Sequence, residues 1–213
     1  MIRAAAYFHE SLYRTPEVMD RVRDFAVTIC GAGALGANIT ENLARQGFAH
    51  LKVIDRDRIE ERNLSTQPYY VSDIGAFKSK ILSNAIYRAL GVAVEGRAEE
   101  LTPSNASKLL TGSALVIDTF DNSTGRQAVK GFCEDASLPC LHVGLAGDYA
   151  EVIWNKSYRV PSAANDDVCD YPLARNLVML AVSVACEVTL RFAAAGKQES
   201  FTVTLGDFAV KPF

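Results

Sequence analysis

Gly31-Ala-Gly-Ala-Leu-Gly36 follows directly on the apolar run Phe25-Ala-Val-Thr-Ile-Cys30, and this junction constrains the fold more than any other part of the chain. An apolar run, three glycines at this spacing and then a helical pattern describe the first strand, turn and helix of a nucleotide-binding βαβ unit. The glycines permit a tight turn and let backbone come close to phosphate, while the helix presents unpaired N–H groups and a partial positive charge. A second apolar run, Leu51-Lys-Val-Ile, ends in Asp55 about twenty residues further on, where a carboxylate suits a ribose hydroxyl pair. Strand, glycines, helix and acid in this order specify a nucleotide fold without saying which nucleotide.

The rest of the chain continues the alternation. Residues 1–24 read as a helical lead-in, with Pro16 in the first turn of a short helix. A strand over about 25–30 precedes a helix over about 34–46, which carries Leu35, Ile39 and Leu43 at four-residue spacing and stops at Gly47. The second strand covers 51–54, and a helix over about 77–90 stops at Gly91 before a third strand near 92–97. A short helix over 104–110 leads to Ala114-Leu-Val-Ile117, a fully apolar strand of the buried parallel kind. A helix over about 123–136 and the strand Pro139-Cys-Leu-His-Val143 complete the series. Beyond Val143 the pattern changes to a hairpin about Gly147-Asp148, a polar crossover over 155–172, a long apolar helix over 173–195 and a last hairpin about Gly206-Asp207. The pattern predicts one α/β domain over 1–213: a Rossmann-like doubly wound parallel sheet extended by antiparallel C-terminal strands. Ligands are expected beyond the carboxyl ends of the parallel strands.

Composition narrows the function classes. A net charge of −3 gives no electrostatic reason to expect nucleic acid or an anionic membrane as partner. The first ten residues turn polar too quickly for a signal peptide, and no stretch reads as the roughly 18 apolar residues of a membrane span, so a cytoplasmic protein is expected. Cysteines 30, 133, 140, 169 and 186 form no CxxC pair, and no structural zinc is expected. Cys30, Cys133, Cys140 and Cys186 read as small core residues, and Cys169 alone sits among polar neighbours. His9, His50 and His142 lack ligand spacing and read as structural or exposed.

Asp55 alone would also suit a nicotinamide-dependent dehydrogenase. Three further segments argue against that. Asp57-Arg-Ile-Glu-Glu-Arg-Asn63-Leu64-Ser65-Thr66-Gln67 follows the second strand, Asp73-Ile-Gly75-Ala-Phe-Lys78 opens the next helix, and Asp118-Thr-Phe-Asp121-Asn122 follows the fourth strand. The fold would gather all three around one site, and the loop over 56–77 is too long to be idle. With these residues in place the sequence closely resembles the ThiF/MoeB superfamily, adenylyltransferases that activate ubiquitin-like and sulfur-carrier proteins. The superfamily pattern is GxGxxG, an acidic strand end, Asn-Leu-x-Arg-Gln, Gly-x-x-Lys and Asp-Asn. This chain supplies Gly31, Gly33 and Gly36, then Asp55, Asn63-Leu64 with Gln67, Gly75 with Lys78, and Asp121-Asn122.

The resemblance implies that the glycines hold ATP phosphates, Asp55 the ribose, and Asn63 and Gln67 further ATP contacts. It implies that Lys78 neutralises phosphate and that Asp121 carries Mg2+. A carrier protein with a glycine C-terminus is the implied partner, and a homodimer the implied assembly. Asn63 and Gln67 could instead brace their loop, and Asp121 could cap the helix after it.

The chain departs from the pattern at Thr66, where the superfamily has arginine. Arg62 or Arg58 in the same loop could supply the missing cation; the other reading is a catalytically weakened scaffold or partner protein. Arg14 resembles an arginine that some relatives lend to the other subunit, against the plainer reading of a surface residue. Cys169 resembles the cysteine that takes an acyl group or persulfide from the adenylate, although Asp166, Asp167 and Asp170 around it should raise its thiol pKa.

Overall fold

Thr15 accepts a hydrogen bond from the Val18 N–H, and Pro16 occupies the first turn behind it, so the chain enters helix as soon as these two residues allow. The computed structural model describes residues 4–161 and 172–213. Helices α1 (Phe8–Tyr13) and α2 (Pro16–Asp24) lead into a sheet built from β1 (Ala26–Cys30), β2 (His50–Ile54), β3 (Glu95–Arg97), β4 (Leu115–Asp118), β5 (Cys140–Ala146), β6 (Tyr149–Trp154), β7 (Phe201–Thr204) and β8 (Ala209–Pro212). Between them run α3 (Ala34–Arg45), α4 (Lys78–Leu90), α5 (Ala106–Leu110), α6 (Ser123–Asp135) and α7 (Arg175–Ala195).

The sheet order is β3-β2-β1-β4-β5-β6-β7-β8. Strands β1 to β5 pair in parallel, and β5 to β8 in antiparallel. The chain moves outward from β1 to β3, then returns to lay β4 on the other side of β1. The gap between β1 and β4 is therefore a topological switch point, where a crevice opens at the carboxyl ends of the strands. Alternate residues face opposite layers. Val27, Ile29, Leu115, Ile117, Leu141 and Val143 belong to the core under α3, α4 and α7, while Cys30, Val116 and Cys140 face α5 and α6.

Two strand boundaries differ from the sequence pattern for identifiable reasons. The third strand is only Glu95–Arg97, because Val92 and Val94 are spent on the core before pairing with β2 begins. The fifth runs on to Ala146, because its hairpin with β6 stays paired up to Ala146 opposite Tyr149 and turns at Gly147, whose φ of 64° suits glycine.

One expectation needs correction: α7 is long and apolar enough to cross a membrane by length and composition. Its buried side chains form a stripe through Leu177, Val178, Ala181, Val182, Ala185 and Cys186 that packs on α3 and on the sheet. Each large aliphatic residue in that stripe contributes about 1.5–3 kcal/mol relative to exposure. The helix ends at Gly196, in the left-handed conformation with φ 69°.

Candidate nucleotide site

Gly31 closes β1 at the switch point. Its φ is 103°, its N–H donates to the Ile54 carbonyl, and a Cβ there would lie 2.7 Å from Thr119 Oγ1. Gly36 is required just as strictly, because its Cβ would overlap the Gly31 carbonyl oxygen. Gly33 is different: it precedes α3 as N-cap, offers no side chain to cap it, and a Cβ there would meet nothing within 4 Å. Packing explains two of the three glycines. The third faces open space at the positive end of a helix, where an anion is stabilised.

Asp55 lies beside this loop, only 7% exposed. Its Oδ2 accepts from the Ala32 N–H at 2.6 Å and its Oδ1 from the Asp57 N–H at 2.7 Å. Burial pushes its carboxyl up from the usual carboxylate value, opposed by Lys78 and by the two N–H donors. Lys78, the first residue of α4, is buried and places Nζ 3.4 Å from Asp57 Oδ2. A lysine at a helix N-terminus opposes the helix dipole, so packing convenience does not explain its place. Tyr69 ties the cluster together: its hydroxyl donates to the Ala32 carbonyl at 2.9 Å and lies 3.5 Å from that of Lys78.

On the other wall, Thr119 Oγ1 donates to the Cys30 carbonyl at 2.8 Å and fixes the 118–122 turn against the glycine loop. Asn122 caps α6 by accepting the Gly125 N–H at 2.8 Å. That leaves Asp121 without a capping role, its carboxylate exposed at the rim. Among the described residues no group of three or more His, Cys, Asp or Glu side chains forms a metal cage. An ion such as Mg2+, which keeps waters and binds through one or two carboxylates plus phosphate, fits a lone rim carboxylate of this kind.

The ThiF family model matches residues 9–169. The chain belongs to the ThiF family. It is 32% identical over 130 residues to the SAMP-activating enzyme of Haloferax volcanii, across 60% of this chain and 48% of that one. It is 30% identical over 139 residues to the sulfur carrier protein ThiS adenylyltransferase of Bacillus subtilis, across 63% and 41%. The chain thus spans about half the length of the curated relatives it matches. The crystal structure of E. coli MccB with ATP superposes with a TM-score of 0.82 at 16% identity, over 99% of this chain and 71% of that one, a likeness of fold.

Within this ThiF fold the predicted residues separate into groups. Gly31, Gly33, Gly36, Asp55 and Lys78 come together around one crevice, with Asp121 on the turn that Thr119 ties to it. Asn63 braces its loop: Oδ1 accepts the Glu60 N–H, and its carbonyl accepts the Thr66 and Gln67 N–H groups. Gln67 is 9% exposed, and its Oε1 is buried without a hydrogen-bond partner among the described residues. Thr66 is buried, with its carbonyl held by Asn38 of α3 at 2.9 Å. Arg58 donates to the Gly75 carbonyl and stacks on Phe77, and Arg62 pairs with Glu60 at 2.6 Å. In this conformation neither points its charge at the glycine loop. Arg14 bridges Glu10 and Glu187, both at 2.9 Å, and takes no part in this chain's own crevice. Cys169 lies outside the described residues.

The sequence reading missed a buried polar group behind the site. Asp118 and His142 are register partners on β4 and β5, and Asp118 Oδ2 lies 2.8 Å from His142 Nδ1. Arg126 of α6 comes within 3.5 Å of the same carboxylate and donates to Tyr158 Oη at 2.9 Å, and the Tyr158 ring stacks on His142 at 3.8 Å. Burial pushes the Tyr158 hydroxyl up to about 12. Asp118 Oδ1 accepts the Phe120 N–H, so the group also shapes the turn that carries Asp121. The available signal was a histidine and an aspartate inside apolar runs, where a buried polar residue needs a partner.

Proposed function

We propose that this chain is an ATP-dependent adenylyltransferase that activates the C-terminal carboxylate of a ubiquitin-like or sulfur-carrier protein. One observation carries the reading: Lys78, buried against Asp55 and Asp57, supplies a fixed cation beside a glycine loop whose Gly33 faces open space. The names of its relatives as activating enzymes and adenylyltransferases support the same class.

The chemistry follows from charge. An oxygen of the carrier carboxylate attacks the α-phosphorus of ATP; a new O–P bond forms, the bond to the bridging oxygen breaks, and pyrophosphate leaves with that electron pair. Both reactants are anionic, so the site must gather N–H donors and cations before they can meet. The first turn of α3 and Lys78 provide them, and Asp55 orients the ribose through its remaining lone pairs; the buried, unpaired Gln67 Oε1 becomes an acceptor for the nucleotide once its loop shifts to expose it. Mg2+, held by Asp121 and the phosphates, would supply further charge neutralisation. A cytoplasmic homodimer completes the proposal.

Pyrophosphate exchange into Mg-ATP, measured with a small carrier ending in Gly-Gly, tests it. Exchange that requires both the carrier and Lys78 is the expected result. Mg-ATP binding without exchange in the presence of carrier would make the chain a scaffold, and NADH fluorescence enhancement would reassign the crevice to a dinucleotide.

A further inference from the structure

The crevice is short of positive charge for the ligand proposed for it. A triphosphate brings several negative charges to a rim that already holds Asp55, Asp57 and Asp121; Lys78 is the buried cation packed against them, and exposed Arg56, 3.8 Å from Asp57, is shared with Glu100 at 2.6 Å. Arg58 and Arg62 of the neighbouring loop are directed to Gly75 and Glu60. A further cation arrives from elsewhere in the chain. Arg175, the first residue of α7, places Nη1 3.1 Å from the carbonyl of Ser65. The adjacent carbonyl, that of Thr66, is held by Asn38, whose amide also reaches the carbonyl of Ala34 at the start of α3. Arg175 is thus brought to the stretch of loop that is bonded to the first turn of α3.

Its position is costly without an anion. Arginine at the first position of a helix opposes the dipole, and no acidic residue occupies the first turn of α7 to compensate. The side chain is exposed and its hydrogen bond is to a neutral carbonyl, a bond it can exchange for one to a phosphate oxygen. Guanidinium suits this task because its planar fork binds phosphate through two parallel hydrogen bonds.

We infer that Arg175 binds the β- and γ-phosphates of the nucleotide and supplies, from α7, the charge that Thr66 does not supply from the loop. The inference rests on the ATP reading above. Calorimetric titration of the full chain with Mg-ATP and, separately, with AMP tests it. Arg175→Gln should weaken Mg-ATP by about tenfold, the worth of one charged hydrogen bond, and leave AMP unchanged. Adding Thr66→Arg to Arg175→Gln should restore Mg-ATP affinity, since it returns a cation to the same stretch of loop. Equal weakening of ATP and AMP would show that Arg175 merely braces Ser65, and undiminished ATP binding would show that it does neither; each overturns the inference while leaving the ATP reading intact. A wild-type chain that binds neither ligand removes the ATP reading itself. Should Arg175→Gln fail to fold, Arg175→Lys, which keeps a donor for the Ser65 carbonyl, must still weaken ATP selectively.

Discussion

Side by side at the carboxyl end of the sheet, the glycine loop offers backbone donors and almost no side chains, whereas the Asp118 group buries four polar side chains against one another. The first is open, and its unsatisfied capacity is directed outward, with Gly33 facing open space. The second is closed, and each partner is held by another member of the same chain. The difference separates binding from support: the open wall should respond to ligand and the closed wall to mutation.

The sharpest test lies within the glycine loop itself. Gly36→Ala should prevent folding or cost upwards of about 4 kcal/mol, because the added methyl has only the Gly31 carbonyl and Thr119 to displace. Gly33→Ala should leave thermal unfolding nearly unchanged and still abolish Mg-ATP binding, since its methyl would fill the space a phosphate approaches. Comparable melting temperatures for the two variants would break the contrast between packing glycines and a ligand-facing one.

On the closed wall, Asp118→Ala strands Arg126, which is 8% exposed, beside a fully buried His142. Removing one member of a buried ion pair costs about 3–5 kcal/mol, so urea unfolding should show a loss of that size with or without ATP. A loss below about 1 kcal/mol would mean that water enters and that this wall is as open as the other.

How far the sequence revealed these walls follows from the range of each signal. The glycine loop, Asp55 and Lys78 were legible because each sits at a fixed place relative to its own strand or helix, and local chain direction then brings them together. Asp118, His142 and Arg126 come from two adjacent strands and a helix, and their meeting depends on the register of β4 with β5, which no local pattern encodes. Tyr69 was missed for a related reason. It lies in an irregular loop, and its hydroxyl acquires meaning only once Ala32 and Lys78 are placed on either side. Arg14 reads, from its motif-like neighbourhood, as a residue lent to the other subunit; within this chain its guanidinium bonds Glu10 and Glu187.

Lys78→Met sharpens the comparison from the open side. Methionine keeps most of the buried volume, so the fold should survive, while Mg-ATP should weaken by about ten- to a hundredfold. The pH dependence has a definite sign. Asp55 is raised in the folded state by burial, with Lys78 opposing, so its contribution to stability is present in acid and is lost as pH rises through its folded pKa. Without Lys78 that loss deepens. The stability deficit of Lys78→Met should therefore grow from acid toward neutral pH in thermal unfolding, and a constant deficit would count against the Lys78–Asp55 interaction.

The smallest effect belongs to Arg14, and it tests whether burial, rather than the mere presence of ion pairs, sets the closed wall apart. Burial alone would raise Glu187, but its contacts with Arg14 and Arg191 outweigh that and hold it below its ordinary value of 4.5. A carboxylate depressed in this way adds stability above its unfolded pKa and loses it as pH falls through the folded one. Glu187 is more than a third exposed, so solvent screens the pair. Arg14→Ala should cost only about 0.2–1 kcal/mol at pH 7, less in high salt, and close to nothing at a pH low enough to protonate the carboxylate in the folded chain. Urea unfolding at the two pH values measures the difference. If Arg14→Ala costs as much as Asp118→Ala, the depth at which a charge is buried does not govern these networks, and the division into an open and a closed wall fails with it.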